Sequence, residues 1–100
     1  MASIRIKLFE EALKRYEGGN PEFTAREMAD LLGYKLSSIN GKLWQICKMG
    51  HFKKIGEGYN TKYRVNSETK RLDSIKYILN KYREIEFNER KQMIEGSEAT

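Results

Sequence analysis

Gly33-Tyr34-Lys35-Leu36-Ser37-Ser38-Ile39-Asn40-Gly41-Lys42-Leu43-Trp44-Gln45-Ile46-Cys47-Lys48-Met49-Gly50 is the run on which the reading of this chain turns. Wound as a helix, it places Ile39, Leu43, Ile46 and Cys47 on one side and Ser37, Ser38, Gly41, Lys42, Gln45 and Lys48 on the other. Solvated helix faces ordinarily mix Glu with Lys, because pairs four residues apart add a few tenths of a kcal/mol. This run has no acidic residue. Such a face suits a phosphate-bearing partner, which repels carboxylates and is closely approached by a backbone flanked with Ser, Gly and Asn.

On the N-terminal side, Thr24-Ala25-Arg26-Glu27 has the form of a capping box and predicts a helix of about nine residues ending at Gly33. In a box of this kind the Thr24 hydroxyl accepts from the Glu27 amide, and the Glu27 carboxylate reaches back to the Thr24 amide. A short helix, a turn containing glycine and a longer helix make a helix-turn-helix spanning 24–49. On the C-terminal side, Phe52-Lys53-Lys54-Ile55 and Lys62-Tyr63-Arg64-Val65 read as strands around the glycine-rich tip Gly56-Glu57-Gly58-Tyr59-Asn60-Thr61. Phe52, Tyr63 and Val65 are expected to face inward and the lysines and Arg64 outward, giving a basic wing over 51–65.

Further out, Ile4, Leu8, Phe9, Ala12, Leu13 and Tyr16 recur three and four apart, predicting an amphipathic first helix stopped by Gly18-Gly19-Asn20-Pro21. Glu22 and Phe23 are expected to extend, with Phe23 turned inward. At the other end, Leu72, Ile75, Ile78, Leu79, Tyr82 and Ile85 form an apolar stripe on a helix over 67–94, with Ser67 as its cap. Residues 96–100 read as a disordered tail. The fold class is therefore mainly α with a small β-hairpin, in a single domain over 1–95.

Charge separates the segments. Residues 1–32 hold five basic and six acidic groups, for −1, and residues 66–100 hold seven of each. Residues 33–65 set Lys35, Lys42, Lys48, Lys53, Lys54, Lys62 and Arg64 against Glu57 alone, for +6, which exceeds the net charge of the whole chain, +5. Positive charge concentrated in this way is the electrostatic footprint of nucleic-acid binding.

The remaining composition narrows the classes. One hundred residues with 39% apolar content and one proline fit one compact domain, which would bury roughly 65% of its extended-chain surface. No apolar run approaches the roughly 18 residues of a membrane span, and the first residues lack a signal-peptide pattern, so a cytoplasmic location is expected. One cysteine and one histidine exclude an intrachain disulfide and a Cys/His zinc site, so no metal and no cofactor is expected. The same scarcity leaves no acid-base or nucleophilic constellation, which argues against an enzyme. Cys47, on the apolar side, reads as a small buried hydrophobe and His51 as a strand-start residue that can be hydrogen-bonded.

The residues Phe23-Thr24-Ala25-Arg26-Glu27-Met28-Ala29-Asp30-Leu31-Leu32-Gly33, then Ser37-Ser38-Ile39, Leu43, Ile46, Gly50, Phe52 and Tyr63-Arg64-Val65, together resemble the winged helix-turn-helix family. The likeness is strongest to small dimeric archaeal, bacterial and viral transcription regulators, and covers about half the chain. Two positions depart from the pattern. Lys35 stands where such regulators often carry a capping Ser or Thr, so Ser37 is a substitute cap that would start the helix two residues later. Gly41 costs about 0.5 to 1 kcal/mol relative to alanine inside a helix, and requires compensation from close approach by DNA or by a neighbouring helix.

The resemblance implies a third helix in the major groove and a wing along the adjacent backbone or minor groove of double-stranded DNA. Ser37, Ser38, Asn40, Lys42 and Gln45 are then the base-reading candidates. Arg26, Lys35, Lys48, Lys53, Lys54 and Lys62 are the phosphate candidates, and Tyr59 and Asn60 at the wing tip either enter a minor groove or touch phosphate. Trp44, at the border of the two faces, is expected to pack beneath the wing or against the first helix, with DNA contact as the alternative. Leu72, Ile75, Ile78, Leu79 and Tyr82 are the candidate interface of a homodimer, the alternative being that the stripe folds back on the first helix. The function implied is transcription regulation by a homodimeric repressor. The rival is a winged helix that binds protein and has given up DNA.

Overall fold

Ser3 starts the first helix, its side-chain oxygen accepting from the Ile6 amide at 3.2 Å. The helix, α1, runs Ile4–Glu17 and turns Ile6, Leu8, Phe9 and Ala12 into the interior. A computed structural model describes the backbone of residues 3–58 and 61–98, and side chains as far as Ile85. Beyond α1 the elements are α2 (Ala25–Leu32), α3 (Leu36–Met49), β1 (Phe52–Ile55), β2 (Lys62–Val65) and α4 (Thr69–Glu98). The described chain is thus mainly helical, four helices with one two-stranded antiparallel sheet.

Thr24 caps α2 as its sequence predicts, accepting from the Glu27 amide at 3.1 Å. The return arm differs. The Glu27 carboxylate takes the Thr24 hydroxyl at 3.4 Å and the Arg15 guanidinium at 3.2 Å, so the second half of the box is exchanged for a link to α1. Gly33, at φ 75°, supplies the left-handed turn between α2 and α3. Helix α3 begins at Leu36, with Lys35 in extended conformation as a cap that makes no side-chain bond. Ser37 therefore lies inside the helix and is not its cap; the Lys35 carbonyl already accepts from Ser38 and Ile39.

The hairpin pairs Phe52 with Val65, Lys53 with Arg64, Lys54 with Tyr63 and Ile55 with Lys62. Phe23 bonds Tyr63 in both directions, at 2.9 and 2.7 Å, so the extended segment before α2 is stitched to the outer side of β2. Aromatic rings then run through the interior edge to face: Phe9 to Phe52 and Phe52 to Phe23 at 5.7 Å each, and Phe9 to His51 at 5.4 Å. Each such pair contributes about 0.5–1.5 kcal/mol beyond the area it buries. Helix α1 lies centrally, against α3, β2 and α4.

Helix α4 starts at Thr69, two residues after the predicted cap. The Asn66 side chain accepts from the Glu68 amide at 3.1 Å and donates to the Gly50 carbonyl at 3.0 Å, while the Glu68 carbonyl accepts from Arg71 and Leu72. Asn66 and Glu68 thus do the work predicted for Ser67. The helix continues through Gly96 to Glu98, past the predicted end at residue 94; one interior glycine costs about 1 kcal/mol and is not by itself a stop. Of the tail predicted to lack structure, residues 99 and 100 lie outside the described part of the chain. Among the described residues no helix is long and apolar enough to cross a membrane.

The apolar stripe of α4 turns inward. Ile75 is 0% and Leu79 2% exposed, both in the core formed with α1. These two candidate dimer residues are therefore occupied within the chain, because α1 presents an apolar face that they cover. Leu72, Ile78 and Tyr82 are half-buried against the same core.

Candidate nucleic-acid interface

Helix α3 buries Ile39, Leu43 and Ile46, keeps Leu36 and Cys47 half-buried beside them, and turns its opposite side to solvent. Ser37, Ser38, Asn40 and Gln45 are exposed and Lys42 half-buried, so the base-reading candidates all reach the surface of one helix. At 100° per residue they spread around it: Asn40 stands at one edge, toward the hairpin, and Lys42 at the other, with Ser37, Gly41 and Lys48 between. Lys35 lies at the N-terminal end and is exposed. The Lys35 side chain makes no capping bond, and among the described residues the first-turn amides of α3 keep their partial positive charge available.

A recess of about 480 Å³ opens between the N-terminus of α2, the edge of α3 and the hairpin. Thr24, Ala25, Arg26, Leu36, Asn40, Lys54, Gly58, Thr61 and Tyr63 line it. Arg26 and Lys54 reach this space from different elements, and Asn40 provides a neutral amide between them. Strand alternation explains the convergence: Lys54 lies opposite Tyr63, on the side of the hairpin that carries Phe52 and Val65 into the core. Lys53 lies opposite Arg64 on the other side, with Lys62 and Ile55. The expectation that both lysines point the same way is therefore corrected by the register. Lys62 is exposed and pairs with Glu22 at 3.8 Å, which lowers its availability to a phosphate. Tyr59 and Asn60 lie outside the described residues.

Trp44 corrects a second expectation. It is 64% exposed, covered neither by the hairpin nor by α1, and stands in line with Ser37, Gly41 and Lys48 along the centre of the outer face. The Lys48 ammonium lies 4.8 Å from the centre of its ring, a cation–π contact of about 0.5–1 kcal/mol at an exposed site. Gly41 has no heavy atom within 4 Å of the position a Cβ would occupy. Among the described residues no neighbouring helix supplies the compensation.

Behind this surface, the C-terminal turn of α3 is tied to α4. The Arg71 guanidinium donates to the Met49 carbonyl at 3.2 Å, and Asn66 binds the Gly50 carbonyl. His51 is buried, and its Nε2 shares a hydrogen bond with the Ser74 hydroxyl at 3.0 Å while Nδ1 has no partner among the described residues. Burial, then the charges of Arg71 and Arg5, hold its pKa below the ordinary histidine value. This buried histidine, read from sequence only as a strand-start residue, follows a helix-ending glycine, a local signal that says nothing of the α4 cover. Burial raises the Cys47 thiol above its usual value, with Lys54 opposing, so it is not a thiolate at neutral pH. Among the described residues no three His, Cys, Asp or Glu side chains group as a metal site. No protein-family profile matches the chain, and no curated protein matches it in sequence.

Proposed function

We propose that the protein is a winged helix-turn-helix regulator that binds double-stranded DNA, with α3 in the major groove and the hairpin as the wing. The observation that carries this reading is the convergence of Arg26, Asn40 and Lys54 on one recess beside an exposed helix face that has no carboxylate. A phosphate at the recess meets two cations and the N-terminal end of α2. The side chains of α3 then point away from the core, where base edges would lie. The order of elements supports the same reading: a short helix, a glycine turn, a longer helix and a hairpin.

Regulation follows by occlusion, which requires nothing beyond tight binding at a promoter, so repression is the simpler outcome. A homodimer is part of the proposal. Tyr77 and Ile85 are exposed on α4 beside Ile78 and Tyr82, along an open groove of about 440 Å³ shared with the start of α1. Binding to a palindromic site requires that such a two-fold contact hold the two copies of α3 about 34 Å apart, one DNA turn. Sedimentation at micromolar concentration is expected to give a dimer, and an 11.7 kDa species alone removes that part.

An electrophoretic shift with random genomic duplexes tests the main reading. Binding is expected to weaken steeply with salt, and Lys54→Ala and Arg26→Ala each to lower the log-log slope by about 1. The absence of any shift at low salt overturns it. The exposed Leu31, Trp44 and Met49 favour a second reading, a protein-docking surface. The cationic recess weighs against an apolar partner.

A further inference from the structure

The row Ser37, Gly41, Trp44 and Lys48 contains one feature that phosphate binding does not use, a large apolar plane held in the open. Trp44 follows Gly41 by three residues on the same exposed side of α3, one turn further along the helix. Gly41 adds no Cβ there, and among the described residues no heavy atom, of Trp44 included, comes within 4 Å of the position a Cβ would take. Lys48 stacks on the indole from the following turn. The result is an apolar step beside bare backbone, with a cation behind it.

Resting on the DNA-binding reading above, we propose that Trp44 and Gly41 form a contact for the thymine C5-methyl group, and that the protein prefers A·T pairs. The indole carries one N–H donor and no acceptor. In the major groove every base presents hydrogen-bonding groups, and the thymine methyl is the apolar one. Asn40 and Gln45 flank the row and carry the amides that pair with adenine N6 and N7. No carboxylate on α3 is present to accept from cytosine N4. Apart from Lys42 at the far edge, whose ammonium suits guanine acceptors, the polar and apolar groups of this face match the two halves of an A·T pair.

Trp44 is the single tryptophan of the chain, so its emission reports on this position alone. The test uses a 24-base-pair alternating d(A-T) duplex, the same duplex with deoxyuridine for thymidine, and an alternating d(G-C) duplex. Binding is read by mobility shift and by tryptophan emission with acrylamide quenching. Each contacted methyl is expected to be worth about fourfold in affinity, so the wild-type protein binds the thymidine duplex at least fourfold tighter than its deoxyuridine analogue. Trp44→Ala should abolish that preference and Trp44→Phe retain most of it, and bound thymidine duplex should shield Trp44 from acrylamide. Equal binding of the thymidine and deoxyuridine duplexes by the wild-type protein overturns the proposal, as does preference surviving in Trp44→Ala. A shift with the thymidine duplex that leaves Trp44 as accessible as before also overturns it and leaves DNA binding standing. Failure of all three duplexes to shift at low salt removes the DNA-binding reading itself, and the methyl contact with it.

Discussion

Gly41 sits in the interior of α3, and a Cβ added to it meets no heavy atom of the described residues within 4 Å. Gly41→Ala therefore introduces no clash in the free protein and removes backbone freedom from the unfolded chain. Alanine is favoured over glycine inside a helix by about 0.5–1 kcal/mol. For a domain of this size, each kcal/mol moves Tm by about 4–8 °C. The variant is expected to melt about 2–8 °C higher, measured by circular dichroism at 222 nm with reversibility checked by cooling. On the proposed DNA surface the same methyl group stands where the major groove comes closest to the helix. Affinity for duplex DNA, measured by mobility shift at fixed salt, is expected to fall in the variant that is more stable. A Tm at or below that of the natural protein would refute the open-space assignment. A higher Tm with unchanged DNA affinity would show that no ligand approaches the helix at Gly41.

Gly50→Ala should act oppositely to Gly41→Ala. Its φ of 92° costs a non-glycine residue about 1–2 kcal/mol, and the new Cβ would sit 2.9 Å from the Arg71 guanidinium carbon, so a Tm loss of at least about 4 °C is expected by calorimetry. Asn66→Ala removes the bonds to the Gly50 carbonyl and the Glu68 amide and should cost about 1–3 kcal/mol. It should appear as a lower urea midpoint with an unchanged m-value. His51 sets a pH dependence whose sign follows from its depressed pKa. The unfolded chain takes up the proton near the ordinary value of about 6.5 and the folded protein only at lower pH. The His51 contribution to stability is therefore complete above that value and is lost as pH falls through the folded pKa. His51→Gln should flatten that part of a Tm-against-pH curve; a curve that keeps its slope assigns the dependence to other groups.

Periodicity and capping chemistry determine much of this molecule without reference to any distant contact. The stripes of α1 and α3, the Thr24 cap, the left-handed turns at Gly33 and Gly50 and the two short strands are local consequences of residue order, each decided within about one turn of chain. The concentration of positive charge in residues 33–65 is likewise a property of composition. What periodicity cannot say is which element covers a given stripe. Trp44 stays exposed because nothing packs over the outer face of α3, while Ile75 and Leu79 are buried because α1 offers them an apolar partner. The hairpin register sends Lys54 into the recess and Lys53 to the opposite side, a choice that depends on strand pairing and not on the identity of either lysine. His51 acquires its neutral, buried character only once Phe9 and Ser74 close over it from α1 and α4. Local order thus decided which residues share a face, and the packing of distant elements decided which faces meet each other and which are left for a ligand.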